Sequence, residues 1–82
     1  MEENRIAVIG ITVDHRKEMA LKVQSVLTEF GDIIIGRMGI QNKERAVSVI
    51  SIIADGSNDD IGALSGKLGS IADVRVKVST MI

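Results

Sequence analysis

The spacing of hydrophobic residues along the chain changes several times, and each change marks a candidate element. Arg5–Val13 reads RIAVIGITV, rich in β-branched residues and apolar at both alternating sets of positions. That pattern predicts a central strand with apolar side chains on both faces. From Lys17 to Phe30 the apolar residues Met19, Val23, Val26, Leu27 and Phe30 recur at helical spacing, with Lys22, Ser25 and Glu29 opposite them. An amphipathic helix is predicted there, and Gly31 is placed to end it. Ile33–Ile40, IIIGRMGI, predicts a second strand weakened by Gly36 and Gly39. The polar run Gln41–Glu44 separates it from Ala46–Ala54, AVSVISIIA, and two strands joined by a polar loop predict a hairpin. Asp55–Asn58 breaks the pattern; Ser57 or Asn58 can cap the next helix, with Asp59 and Asp60 in its positive first turn. Ile61, Leu64, Leu68 and Ile71 form the buried stripe of that helix. Val74–Thr80 alternates Val74, Val76 and Val78 with Arg75, Lys77 and Ser79, as an edge strand with one wet face does.

The two halves superpose at an offset of 41 residues, setting Asp14 on Asp55, Val23 on Leu64, Leu27 on Leu68, Phe30 on Ile71 and Asp32 on Asp73. A doubled βαβ-like unit with right-handed crossovers predicts an α+β fold of ferredoxin-like βαββαβ plan. Its antiparallel four-stranded sheet has strands one and three in the centre, strands two and four at the edges, and two helices on one face. Strands one and three are apolar on both sides, yet only one face receives helices. The bare face needs another cover, and a homodimer or higher homo-oligomer through it is expected.

Length and composition narrow the picture further. The 82 residues support a single domain, residues 1–82, and a core this small is thin unless subunits cover more apolar area. With 45% hydrophobic and 26% charged residues and no proline, the chain is composed like a folded domain and not a disordered one. Ten basic against eleven acidic residues leave none of the positive surplus that phosphate-rich surfaces require, so direct DNA binding is not expected. The absence of cysteine removes disulfides, zinc–thiolate sites and thiol nucleophiles, and is compatible with a reducing cytoplasm. No apolar run reaches spanning length, and a cytoplasmic protein without a membrane partner is the default.

The residues that could carry chemistry are few. His15 is the one imidazole and lies beside Asp14 after strand one, where an acid–base or ligand-gripping group can stand; an Asp14 cap or turn with an exposed His15 serves as well. The segment Asp55–Asp60, DGSNDD, lacks the length and terminal glutamate of a calcium loop. There is no G-x-S-x-G nucleophile elbow and no phosphate loop. No enzyme, metal site or cofactor is expected. In strand two Gly36-Arg37-Met38-Gly39 gives either an approach for a partner chain or small anion, with Arg37 supplying charge, or a simple bulge with a solvated arginine. Gly62, Gly66 and Gly69 each cost the second helix stability, and the expected compensation is close packing on the sheet or another subunit, or a ligand approaching the backbone.

The stretch IGALSGKLGSIADVRVKV, Ile61–Val78, the Val13-Asp14 end of strand one and the GRMG of strand two together resemble the iron-only hydrogenase system regulator family. The resemblance extends over essentially the whole chain. It implies an ACT-like fold, similar also to the C-terminal regulatory domain of nickel-responsive repressors, and a role in that hydrogenase system without a defined activity. Those repressors carry a ribbon-helix-helix DNA reader and bind nickel through several histidines and a cysteine. Here only Met1–Asn4 precede strand one, and His15 stands without a cysteine, so neither DNA reading nor nickel sensing carries over. ACT domains hold a small effector near the turn after strand one and at a subunit interface. By that resemblance the ligand-binding candidates are Thr12, Val13, Asp14 and His15, with Arg37, Met38 and Gly39 from an edge. The expected protein is a small regulator, binding a ligand or partner and acting through other proteins, transcription included. The alternative is an assembly protein whose oligomer surface is the functional element.

Overall fold

The computed structural model describes residues 3–14 and 17–82. It contains β1 (Arg5–Asp14), α1 (Lys17–Glu29), a 3₁₀ turn (Gly31–Ile33), β2 (Ile34–Asn42), β3 (Val47–Gly56), α2 (Asn58–Gly69) and β4 (Val74–Thr80). The four strands form one antiparallel sheet in the order β2-β3-β1-β4, the predicted βαββαβ arrangement.

Side chains of β1 alternate strictly. Ala7, Ile9, Ile11 and Val13 are buried on the helix side, while Ile6, Val8, Gly10 and Thr12 are only partly covered on the other. β3 repeats this with Ile50, Ile52 and Ala54 in the core and Val49 and Ile53 exposed. Val23 and Leu27 of α1 and Leu64 and Leu68 of α2 close the core above them. Each such fully buried side chain contributes about 1.5–3 kcal/mol by leaving water. Among the described residues no helix or loop packs over the apolar side chains on the second face of β1 and β3.

Several boundaries differ from the pattern-based expectation for identifiable reasons. Gln41 and Asn42 belong to β2, because Asn42 pairs with Val47 and its Oδ1 accepts a 3.0 Å hydrogen bond from the Arg45 N–H. The turn is therefore Lys43–Ala46, ending on Ala46 at φ 53°. Gly31 is not a left-handed helix cap; it opens the 3₁₀ turn that leads into β2. Of the two candidate caps for α2, Ser57 does the work: its Oγ accepts from the Asp60 N–H at 3.1 Å. The helices are tied together by the Lys67–Glu29 ion pair, with the Lys67 ammonium 5.6 Å from the centre of the Phe30 ring.

The glycines of α2 do not pack against the sheet. A Cβ placed on Gly62, Gly66 or Gly69 would meet no atom of the described chain within 4 Å. These glycines are on the outer side of the helix, and no close packing among the described residues explains them. The glycine that does permit close approach is Gly56 at the end of β3, where a Cβ would lie 3.1 Å from Ile33 Cγ2.

Candidate functional site

One irregularity in β2 determines which of its side chains meet the helices. Ile34 pairs with Ala54 but Gly36 pairs with Ile53, so two residues of β2 are spanned for one of β3. This is a β-bulge at Ile35. Because side chains alternate with period two, one extra residue reverses the facing of everything after it. Downstream of the bulge Arg37, Gly39 and Gln41 pair with Ile52, Ile50 and Ser48 and share their helix-side face. Met38 and Ile40 pair with Ser51 and Val49 and share the open face.

The helix-side residues line a cleft of about 220 Å³ between α1 and the β2 edge. Val13, Val23 and Ile50 supply apolar walls; Gln24, Gln41, Ser48 and Arg37 supply polar groups. Gly39 lies directly over Ile50, and a Cβ there would be in van der Waals contact with it, 3.6 Å from Ile50 Cγ1. Arg37 Nη2 donates a 2.9 Å hydrogen bond to Gln24 Oε1. That exposed bond draws the guanidinium toward α1 across the cleft while leaving most of its donors unused. Among the described lining residues Arg37 is the only charged one. The cleft is below the roughly 300–1,000 Å³ of drug-sized sites, and its chemistry suits a compact anion with an apolar body.

A second, wider depression of about 690 Å³ lies at one end of the open face, where Thr12, Asp14, Arg45, Asp73 and Arg75 converge. Charges of both signs meet there. Asp73, like Ala46, holds positive φ, at 63°, and both residues stand beside the ends of strands that border the depression.

The sequence-based candidates are thus divided between two surfaces. Val13, Arg37 and Gly39 come together in the α1–β2 cleft. Thr12 and Asp14 face the depression on the other side of the sheet. Met38 shares that open face but stands on the β2 edge. His15 lies outside the described residues. Gln24, Gln41 and Ser48 were not singled out by sequence, where polarity alone marked them; they come together only when α1 lies over the β2–β3 pair. Among the described residues no three acidic or histidine side chains gather as a metal-ligand set, and no helix is long and apolar enough to cross a membrane.

Comparison with known proteins assigns the family. The TM1266-like family model, "Iron-only hydrogenase system regulator, putative", matches residues 5–78. The structure of uncharacterized protein TM1266 from Thermotoga maritima superposes with a TM-score of 0.95 at 36% identity, covering 98% of this chain and 100% of that one. The ACT domain of GTP pyrophosphokinase from Chlorobium tepidum gives a TM-score of 0.73 at 19% identity, over 95% and 99% of the two chains. Formyltetrahydrofolate deformylase from Burkholderia mallei gives 0.67 at 10% identity, covering 89% of this chain but 27% of the enzyme. These last two likenesses show the fold alone. No curated protein matches the sequence. The chain belongs to the TM1266-like family, and its fold is ACT-like.

Proposed function

From that membership we propose that the protein is a non-catalytic regulatory module of the iron-only hydrogenase system, which responds to a small anionic ligand in the α1–β2 cleft and acts through another protein. What carries this reading is the Arg37–Gln24 bond: a single fixed positive charge at a cleft that otherwise has apolar walls and neutral hydrogen-bonding groups. A guanidinium held in place binds a carboxylate or phosphate with less entropy to lose. The ligand would report on the system by changing the set of α1 against β2, the two elements it bridges. The reading assigns Val13, Arg37 and Gly39 to the site, with Gln24, Gln41 and Ser48 added, and gives Thr12, Asp14 and Met38 no part in holding this ligand.

Thermal unfolding in the presence of amino acids, nucleotides and divalent metals tests it. A true ligand at 100 times its dissociation constant stabilises by about 2.7 kcal/mol. Arg37→Ala should abolish the shift and Thr12→Ala should leave it. If no compound shifts the transition, or if Arg37→Ala retains the full shift, the cleft is not the site. The alternative of an assembly protein is favoured by a different observation, the bare apolar face of the sheet, and does not require a ligand.

A further inference from the structure

We propose that the open face of the sheet is a self-association surface, on which a second copy of this chain stacks face to face with Met38 as the central knob. Strand pairing places the open-face residues in rows across the sheet. Met38, Ser51, Gly10 and Lys77 make one row; Ile40, Val49, Thr12 and Arg75 make the next; Gly36, Ile53, Val8 and Ser79 lie on the other side. The middle row is low at its centre: Ser51 is small, and a Cβ on Gly10 would find nothing within 4 Å. At the β2 end of the same row Met38 is 70% exposed, with Ile40 beside it at 59%. One surface therefore carries both a projecting, adaptable thioether and a hollow at the same height.

A two-fold axis running along the strands brings these together. It lays the β2–β3 half of one copy on the β3–β1 half of the other, setting Met38 of each above the Gly10–Ser51 row of its neighbour. Packed sheets stand about 10 Å apart with their strands within roughly 30° of parallel, so side chains of this size interlock. Charge placement fits this overlap. On the open faces of β1, β2 and β3 the described acidic side chains, Asp14 and Asp55, stand at the strand ends, whereas Arg75 and Lys77 occupy β4, outside the overlap. The area fits as well. Val8, Met38, Ile40, Val49 and Ile53 expose apolar surface on the order of 500 Å², at the upper end of what a monomer leaves bare. A stable interface buries roughly 800 Å² per partner, and the polar residues of the overlapping strands add to the apolar area.

The inference does not depend on the cleft, which lies on the opposite side of the sheet, and Gly10 and Met38 take no part in it. Sedimentation equilibrium from low to high micromolar concentration should show wild-type protein at twice the mass of the chain. Gly10→Val fills the hollow with a residue favoured in strands, at a position where the fold leaves space. It should keep the circular dichroism of the wild type and weaken self-association by about tenfold or more, as loss of a central contact does. Met38→Lys should do the same. A monomeric wild type, or dimers that survive both substitutions, would overturn the proposal. A dimer broken by Met38→Lys but untouched by Gly10→Val would also overturn it, by pointing to edge pairing through β2.

Discussion

Ile52 and Ile53 are neighbours in one strand, identical in composition and both within the paired ladder of β3, yet one is fully buried and the other 41% exposed. The two faces of the sheet share one backbone and differ only in what covers them. On the helix side Val23, Leu27, Leu64 and Leu68 complete the burial; on the other side nothing among the described residues does. The difference teaches that an apolar residue in a small sheet reports the need for a cover without saying where it comes from. The same division runs along α2, whose inner side is Ile61, Leu64 and Leu68 and whose outer side is Gly62, Gly66 and Gly69.

The sharpest way to break this comparison is to truncate both isoleucines. Ile52→Ala should cost about 2–5 kcal/mol in urea unfolding, and Ile53→Ala in dilute monomer under about 1 kcal/mol; equal losses would mean that the open face is covered within the chain. Ser57→Ala belongs to neither face and should cost about 1 kcal/mol by removing the cap of α2, with no change in self-association. Gly66→Ala tests the outer side of the helix and should raise stability by about 0.5–1 kcal/mol. A loss there, measured by thermal unfolding, would show that something packs on the glycines after all. The smallest effect is expected from Glu29→Gln, since the pair with Lys67 is solvent-exposed and such pairs contribute about 0–1 kcal/mol, less in high salt.

Most of the fold was legible because it rests on periodicity. β1, β4 and the buried stripes of both helices follow directly from spacing, and the central placing of β1 and β3 follows from their double-sided apolar character. The bulge was not legible in the same way. IIIGRMGI is apolar or glycine at nearly every position, so either alternation satisfies the pattern, and a one-residue slip costs nothing that a sequence displays. The site inherited that blind spot. Arg37 was visible as a charge among glycines, but its bond to Gln24 joins residues 13 apart through a facing that the hairpin register decides. The glycines of α2 exposed a further limit, for their helical cost was readable and their surroundings were not.

The extra residue at Ile35 lets side chains an odd number of places apart share one face. Ile34 and Arg37 are three residues apart, so an unbroken strand would send them to opposite sides; with Ile35 bulged out, Ile34 stands beside Ala54 and Arg37 beside Ile52, both toward the helices. Removing Ile35 would straighten the ladder and leave Arg37 toward α1 and Met38 on the open face, because the pairing that runs back from Asn42 and Val47 sets their facing. One edge strand thus gives an isoleucine to the core and a guanidinium to the cleft, with a single residue left outside the ladder.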